Sequence, residues 1–379
     1  MSTIIVVCVL TFLHHASANM RTPILPLYAA SHGATSSAVG LIMGAHMALA
    51  AGGSIPLGRA ADVLGRRPLL IAGMILGIAT SLTLVFFTGA IGLGTVYGLA
   101  GLGIAAFTPS ALSLVGDAAP AGKTGQAFAW YSTAHYGAIA IGPFLGGLVA
   151  EWWGYRAAFI VSAAGIGVAL AVGISLRGGA TSAIATRRSV DRAANASVWA
   201  GWIVSVSGML VQGVVFTFFP LLAHERGLTP AGIGLVFLVL GLANTVARVP
   251  AGWLVDRTGR RTPYALGGAL VAAVATALLP HLTDRASVLG LAAVFGAVSG
   301  AGFVAVSVGL AAASTASSRA LVMGGYSTSL YLGLALGSFA VGPVIARHGY
   351  VVGFTAGAAT SVVGTLVAAW LWYRRGSGG

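Results

Sequence analysis

Hydrophobic residues run along this chain in long unbroken stretches, and polar residues gather in short gaps between them. Twelve stretches can be read, near residues 4–29, 37–57, 68–89, 91–115, 124–150, 154–176, 199–223, 231–253, 263–282, 287–312, 320–346 and 350–373. They reach the ~20 apolar residues that a helix needs to cross a bilayer, and they lack the alternation of a membrane barrel strand. The pattern predicts an all-α integral membrane protein with twelve transmembrane helices. Dividing 379 residues by twelve leaves about 32 per helix plus loop, so almost nothing remains for a domain outside the membrane.

Composition agrees: 57% hydrophobic and 7% charged residues exclude an ordinary soluble enzyme. One cysteine, Cys8, permits neither an intrachain disulfide nor a cysteine metal cluster, and no metal or cofactor is expected. The net charge of +13 is dispersed over short loops with no folded domain to present it to nucleic acid. It reports orientation instead. Fourteen basic residues fall in the even-numbered connections and the C-terminus against four on the other side, which puts both termini in the cytoplasm of a bacterial-type cell membrane. The first run ends in Ala16, Ser17 and Ala18 as a signal peptide would, but no basic residue precedes it. An internal repeat also favours a retained first helix.

Sliding the chain by 194 residues aligns PLYAASHGATSSAVGL from Pro26 with PLLAHERGLTPAGIGL from Pro220. The match continues into GRAADVLGRR at Gly58 and GWLVDRTGRR at Gly252. Two six-helix bundles related by pseudo-symmetry are expected, residues 1–176 and 199–379, joined by a polar, basic cytoplasmic linker at 177–198. A duplicated many-helix membrane chain has the organisation of a secondary transporter, with substrate bound near the midplane between the repeats.

The loops after the second and eighth spans carry Gly58, Asp62, Gly65, Arg66 and Arg67, and Gly252, Asp256, Gly259, Arg260 and Arg261. Two copies of this pattern at matching places resemble the signature loop of the major facilitator superfamily, and the resemblance covers the whole chain. Physically, Gly58 would permit close helix approach, Asp62 would accept hydrogen bonds from a helix N-terminus or an arginine, and the arginines would hold the loop at the cytoplasmic surface. The resemblance implies a conformational latch rather than a substrate site. In the fifth span, Gly142, Pro143, Gly146 and Gly147 are similar to the glycine-proline motif of the family's antiporters, a bendable helix. Gly342 and Pro343 are its half-match in the second repeat, so part of the feature is repeat inheritance. The resemblance implies the twelve-helix efflux branch. One departure stands out: Tyr97 lies four residues before Gly101, where the family's exporters often carry an arginine linked to proton coupling.

The seven carboxylates, Asp62, Asp117, Glu151, Asp191, Glu225, Asp256 and Asp284, all fall in loops or at helix ends. A polyspecific cation pump is therefore disfavoured. The membrane instead holds His14, His15 and Arg21 in the first span, His46 in the second and His135 in the fifth, and such groups mark functional sites. At about 100° per residue, Arg21, Thr22, His15 and Asn19 fall within about 160° of His14, a stripe expected to line the cavity. Arg21 could alternatively snorkel to the outer interface. At the 194-residue offset Arg21 meets Val215, His14 meets Gly208, His15 meets Met209 and His46 meets Leu240. Scaffold residues repeat and these do not, which marks them for substrate recognition.

Arg21, His14, His15, Asn19, Thr22, His46, His135 and Gln212 are the candidate substrate-binding residues. The four histidines are also the candidates for proton coupling, although one of the adjacent pair is expected to bond a neighbouring backbone group. Arg248, near the cytoplasmic end of the eighth span, is expected to support the second latch or to snorkel rather than to contact substrate, and Tyr131, Tyr136, Tyr326 and Tyr331 are possible hydrogen-bonding groups or interface aromatics. The reading is a monomeric, proton-coupled exporter of a small anionic or neutral organic solute. A facilitator or importer of a sugar, organic acid or phosphate compound is the alternative, followed by a non-transporting receptor or assembly factor. No nucleophile with a base and no metal-ligand motif suggests an enzyme.

Overall fold

The computed structural model describes residues 3–120, 123–176, 196–314 and 318–374. Most of the expected linker, 177–195, lies outside the described residues, as does the side chain of Asp62. Every regular element among the described residues is helical. The first span is α1 (Thr3–Asn19) followed through Met20 by α2 (Arg21–Ser31). Then come α3 (Ser36–Leu64), α4 (Arg66–Leu84), α5 (Ala90–Ala118), α6 (Thr124–Trp153) and α7 (Tyr155–Ile174). The second repeat contributes α8 (Ala196–Glu225), α9 (Pro230–Thr258), α10 (Arg261–Leu278), α11 (Arg285–Ala313) and α12 (Arg319–Tyr373).

The 55 residues of α12 would extend about 80 Å, far beyond a hydrocarbon core of about 30 Å. Gly349 breaks it with a left-handed backbone (φ 81°), giving two passes and twelve in all. Large apolar side chains such as Leu41, Ile75, Ile91, Val246 and Val363 are exposed on the helices, as hydrocarbon surroundings require.

Backbone geometry repeats with the sequence. Gly65 (φ 98°) and Gly259 (φ 65°) turn the chain between α3 and α4 and between α9 and α10. A side chain would be strained at either place. Beyond that turn the register changes by one residue: Thr262 is inserted, so Pro68 matches Pro263 at an offset of 195. Contacts confirm the new register. A Cβ on Gly73 would press Phe107, and one on Gly268 would press Gly302; both pairs are 195 apart.

The described residues pack as two compact units, each including a segment from the other repeat. One comprises Met1–Ala34, Ala45–Ala185 and Ala223–Gly241. Its core includes Leu10, Met74, Phe107, Leu114 and Ile166. Within it, α6 runs between α1 and the start of α9, with glycines at both contacts. A Cβ on Gly142 would meet Asn19 Cβ at 2.8 Å, one on Gly146 would meet Met20 backbone at 2.8 Å, and one on Gly147 would meet Pro230 C at 2.9 Å. The Glu151 carboxylate accepts the Ala231 N–H at 2.9 Å, at the N-terminus of α9.

The other unit comprises Thr35–Gly44, Thr186–Leu222 and Leu242–Gly379. Here a Cβ on Gly337 would meet Leu210 C at 3.0 Å, and one on Gly342 would meet Ser37 Cα at 3.1 Å. Gly337 and Gly342 are thus the counterparts of Gly142 and Gly147, and Ser338 stands opposite Pro143. The match of Gly142 and Pro143 to Gly342 and Pro343 is corrected by five residues; the recurrence of a Gly-Pro pair in one helix had concealed the true register.

Candidate functional site

The polar stripe of the first span faces inward among helices of its own repeat. His14, His15 and Arg21 are all 3% or less exposed, so Arg21 does not reach an interface. His14 and Arg21 lie seven residues apart, nearly two helical turns, and point the same way, toward α4 and α5. The His14 ring stacks on Phe107 with centroids 3.9 Å apart and an interplanar angle of 19°. His15, one residue on, turns toward α6 and meets the ring of His135 edge to face at 4.3 Å. His135 in turn stacks over Tyr131 at 5.9 Å. Neither ring nitrogen of His14 has a hydrogen-bond partner, nor has His15 Nε2, nor Thr11 Oγ1 one turn earlier. The expectation that His14 or His15 bonds a nearby backbone group through these atoms is not met. The stacking explains why for His14: Phe107 holds the imidazole flat against an apolar face.

Arg21 forms the second part of the cluster. Its Nε donates to the Ala18 carbonyl at 3.1 Å and its Nη1 to Ser81 Oγ at 2.9 Å. Its guanidinium carbon sits 5.7 Å from the centroid of the Tyr97 ring. The His46 ring stacks on Tyr97 at 4.1 Å, and its Nδ1 lies 2.8 Å from the Tyr97 carbonyl oxygen. Tyr97 therefore bridges the buried arginine of the first span and the buried histidine of the second. The tyrosine that departs from the family pattern is the residue around which the cationic group is built.

Among the described residues, no carboxylate forms an ion pair with Arg21; the pair observed is Arg66 with Asp117. A guanidinium removed from water without a counter-charge is costly, and the cost falls when an anion binds. Two neutral hydrogen bonds and one ring face offset part of it. The remaining donors of the fork suit a carboxylate or phosphate oxygen pair.

Asn19 and Thr22 are half-buried. Asn19 Nδ2 donates to the His15 carbonyl at 2.8 Å, and Thr22 Oγ1 donates to Asn19 Oδ1 at 3.4 Å. Gln212 is half-buried on α8 and belongs to the other compact unit. Phe107 and Ser81, which fix the rings and the guanidinium, carry no sequence signal that would single them out.

The latch loops differ in detail from expectation. Arg66 pairs with Asp117 and donates to the Ser113 carbonyl at 3.3 Å, while Arg67 Nη2 donates to the Ile174 carbonyl at 2.7 Å. Both arginines thus grip the C-terminal ends of neighbouring helices α5 and α7, where the helix dipole favours cations. Gly58 does not mediate close approach, because a Cβ there would meet nothing within 4 Å, and at Gly252 only Val304 lies near, at 3.8 Å. The small side chain leaves open space there. Asp256, Arg260 and Arg261 are exposed. Arg248 Nε and Nη2 reach Asn244 Oδ1 at 3.1 and 3.0 Å, and its guanidinium lies over the Phe303 ring at 4.4 Å.

Comparison with known proteins agrees with this architecture. An uncharacterized MFS-type transporter of Methanocaldococcus jannaschii is 22% identical over 360 residues, covering 89% of this chain and 90% of its own. A Lactococcus lactis homolog of the multi-drug resistance efflux pump PmrA is 24% identical over 270 residues, covering 66% of each. Among solved structures, a bacterial homolog of the human lysosomal transporter Spinster, captured inward-facing and occupied, superposes with a TM-score of 0.80 at 17% identity. That match covers 98% of this chain and 95% of the other. The family model of the Major Facilitator Superfamily matches residues 7–198 and 201–378, nearly the whole sequence, and the chain belongs to that superfamily of membrane transporters.

Proposed function

We propose that this transporter exports a small organic solute, an anion in preference to a neutral compound, by alternating access of its two six-helix repeats. The observation that carries the reading is Arg21: a fully buried guanidinium with hydrogen bonds only to neutral oxygens. An anion entering beside Tyr97 would meet an uncompensated positive charge in a low-dielectric setting, where attraction is strongest. A cation would meet the same charge as repulsion. The relative named for multidrug efflux supports the outward direction.

Proton coupling is assigned to the histidines. His14, His15 and His135 lie in ring contact, and imidazole can gain or lose a proton near neutral pH when its surroundings admit water. His46 is held against Tyr97 and transmits the state of that ring to α3. Gly58, Asp62, Gly65, Arg66 and Arg67, with their second-repeat counterparts, serve as the access latch, and Pro143 with its glycines as the bendable segment. The working form is a monomer in the cell membrane with both termini cytoplasmic.

The test is purified protein in liposomes carrying an internal pH dye, an imposed proton gradient, and a panel of anionic, neutral and cationic solutes. Proton movement evoked by an anion and lost in His15→Ala or His135→Ala is expected. Movement evoked by cations alone would overturn the substrate class. Anion flux with no proton movement would overturn the coupling and leave the class standing.

A further inference from the structure

The second repeat contains a half-open pocket among α8, α10, α11 and α12, with about 40 Å3 of enclosed room and about 400 Å3 once the open space at its mouth is counted. Its lining includes Ser205, Gly208, Met209, Gly302, Tyr326 and Leu330. Transposed to the first repeat, at offsets of 194 before Thr262 and 195 after it, these become Thr11, His14, His15, Phe107, Tyr131 and His135. The cavity is therefore the image of the aromatic cluster in the first repeat, with its two stacked rings removed. Where His14 lies on Phe107 at 3.9 Å, the second repeat has glycine at both positions.

That deletion accounts for the space. A Cβ on Gly208 would meet nothing within 4 Å, and the nearest atom to one on Gly302 would be Gly268 Cα at 3.6 Å. Neighbouring polar groups are already engaged: Ser205 Oγ donates to the Gly201 carbonyl at 2.6 Å and Tyr326 Oη to the Phe303 carbonyl at 3.4 Å. The walls are mostly apolar and two of the three hydroxyls in the lining are engaged, Ser299 being the third, so the cavity favours a largely apolar guest. The bare backbone of two glycines leaves a flat-sided slot, and the matching slot in the same fold is filled by stacked planar rings.

We propose that this cavity is a second binding site, which takes a neutral planar aromatic ring between Gly208 and Gly302. It lies within one repeat and does not depend on Arg21, so it is separate from the anion reading above. A flat aromatic solute, or the ring of a larger inhibitor, stacks there between α8 and α11.

Indole, neutral and planar, is the probe. Saturable binding to the purified transporter in nanodiscs, followed by ligand-observed NMR, is expected for the wild type, for Gly208→Ala and for Arg21→Met. Gly208→Phe and Gly302→Phe fill the slot from the protein side; each should weaken indole binding at least tenfold while raising Tm. Unchanged affinity in either folded variant would overturn the proposal, as would the absence of saturable binding to the wild type. A wild-type measurement guards against variants that fail to fold: an aryl diazirine of indole size is photolysed in the nanodisc and the adducts mapped. Labelling concentrated on peptides holding Met209, Tyr326 or Leu330, and competed by indole, is the expected result. Labelling confined to other helices contradicts it, and so does recovery of a lipid chain from the cavity that indole cannot displace.

Discussion

Gly147 separates two roles of small residues on α6. Adding a methyl group there brings a carbon to 2.9 Å from Pro230 C and 3.1 Å from Ala231 Cα, against about 3.4 Å for an ordinary close contact. The obstacle is backbone, so α6 and the start of α9 must part by at least about 0.5 Å, the difference between 3.4 and 2.9. Overpacking of this kind costs about 1–3 kcal/mol. The same displacement lengthens the 2.9 Å bond from the Ala231 N–H to Glu151. Since α9 comes from the second repeat, the cost falls on the conformation in which these helices touch, and a tenfold population change follows from each ~1.4 kcal/mol. Gly146→Ala instead meets Met20, between α1 and α2 of its own repeat, at a contact that alternating access leaves intact. It should lower Tm without selectively opening α9. Hydrogen-exchange mass spectrometry of both variants distinguishes the two: Gly147→Ala should accelerate exchange about 5- to 100-fold around residues 229–236 with little effect on the core of α1. Unchanged exchange there in a folded Gly147→Ala protein would refute the reasoning.

Other outcomes follow from single contacts. Arg67→Ala removes a cation from the C-terminal carbonyl of α7, and should reduce stability by about 0.3–1 kcal/mol, less at high salt, in a detergent unfolding series. Asp284 caps α11 by accepting the Ser287 N–H at 2.8 Å, and hydrogen bonds from Ser287 hold its carboxyl below the ordinary value of 3.8. Its contribution is complete above that value and declines as pH falls through the lowered folded value, so the Tm gap between wild type and Asp284→Ala should close in strong acid. His46→Ala forfeits one hydrogen bond to the Tyr97 carbonyl, which keeps its own helical partner in α5, so an unfolding series should show a loss of about 0.5–1.5 kcal/mol.

The spans were readable because hydrocarbon demands apolar runs of a set length, and α1 through α11 fall close to the expected limits. The boundary at Gly349 was readable too, although α12 is nearly continuous in backbone hydrogen bonding. Register within the repeat was harder. A single inserted Thr262 shifts every later match, a shift hinted at by Pro68 and Pro263 and fixed by which backbone each glycine touches. The stripe on α1 was legible from helical periodicity, but its partners were not. Phe107 and Ser81 are unremarkable on their own helices and acquire meaning from the rotation of α4 and α5 against α1. Tyr97 attracted notice for a missing arginine, while its contact with a different arginine required the fold.

The central claim is that Arg21 provides the charge that recognises an anion. Its most direct test compares the wild type with Arg21→Lys and Arg21→Met in proteoliposomes, reading the affinity for whichever organic anion the wild type transports best. The account predicts at least tenfold weaker apparent affinity in Arg21→Met, partial retention in Arg21→Lys, and unaltered folding by thermal melt. Equal affinity and transport in wild type and Arg21→Met would contradict it.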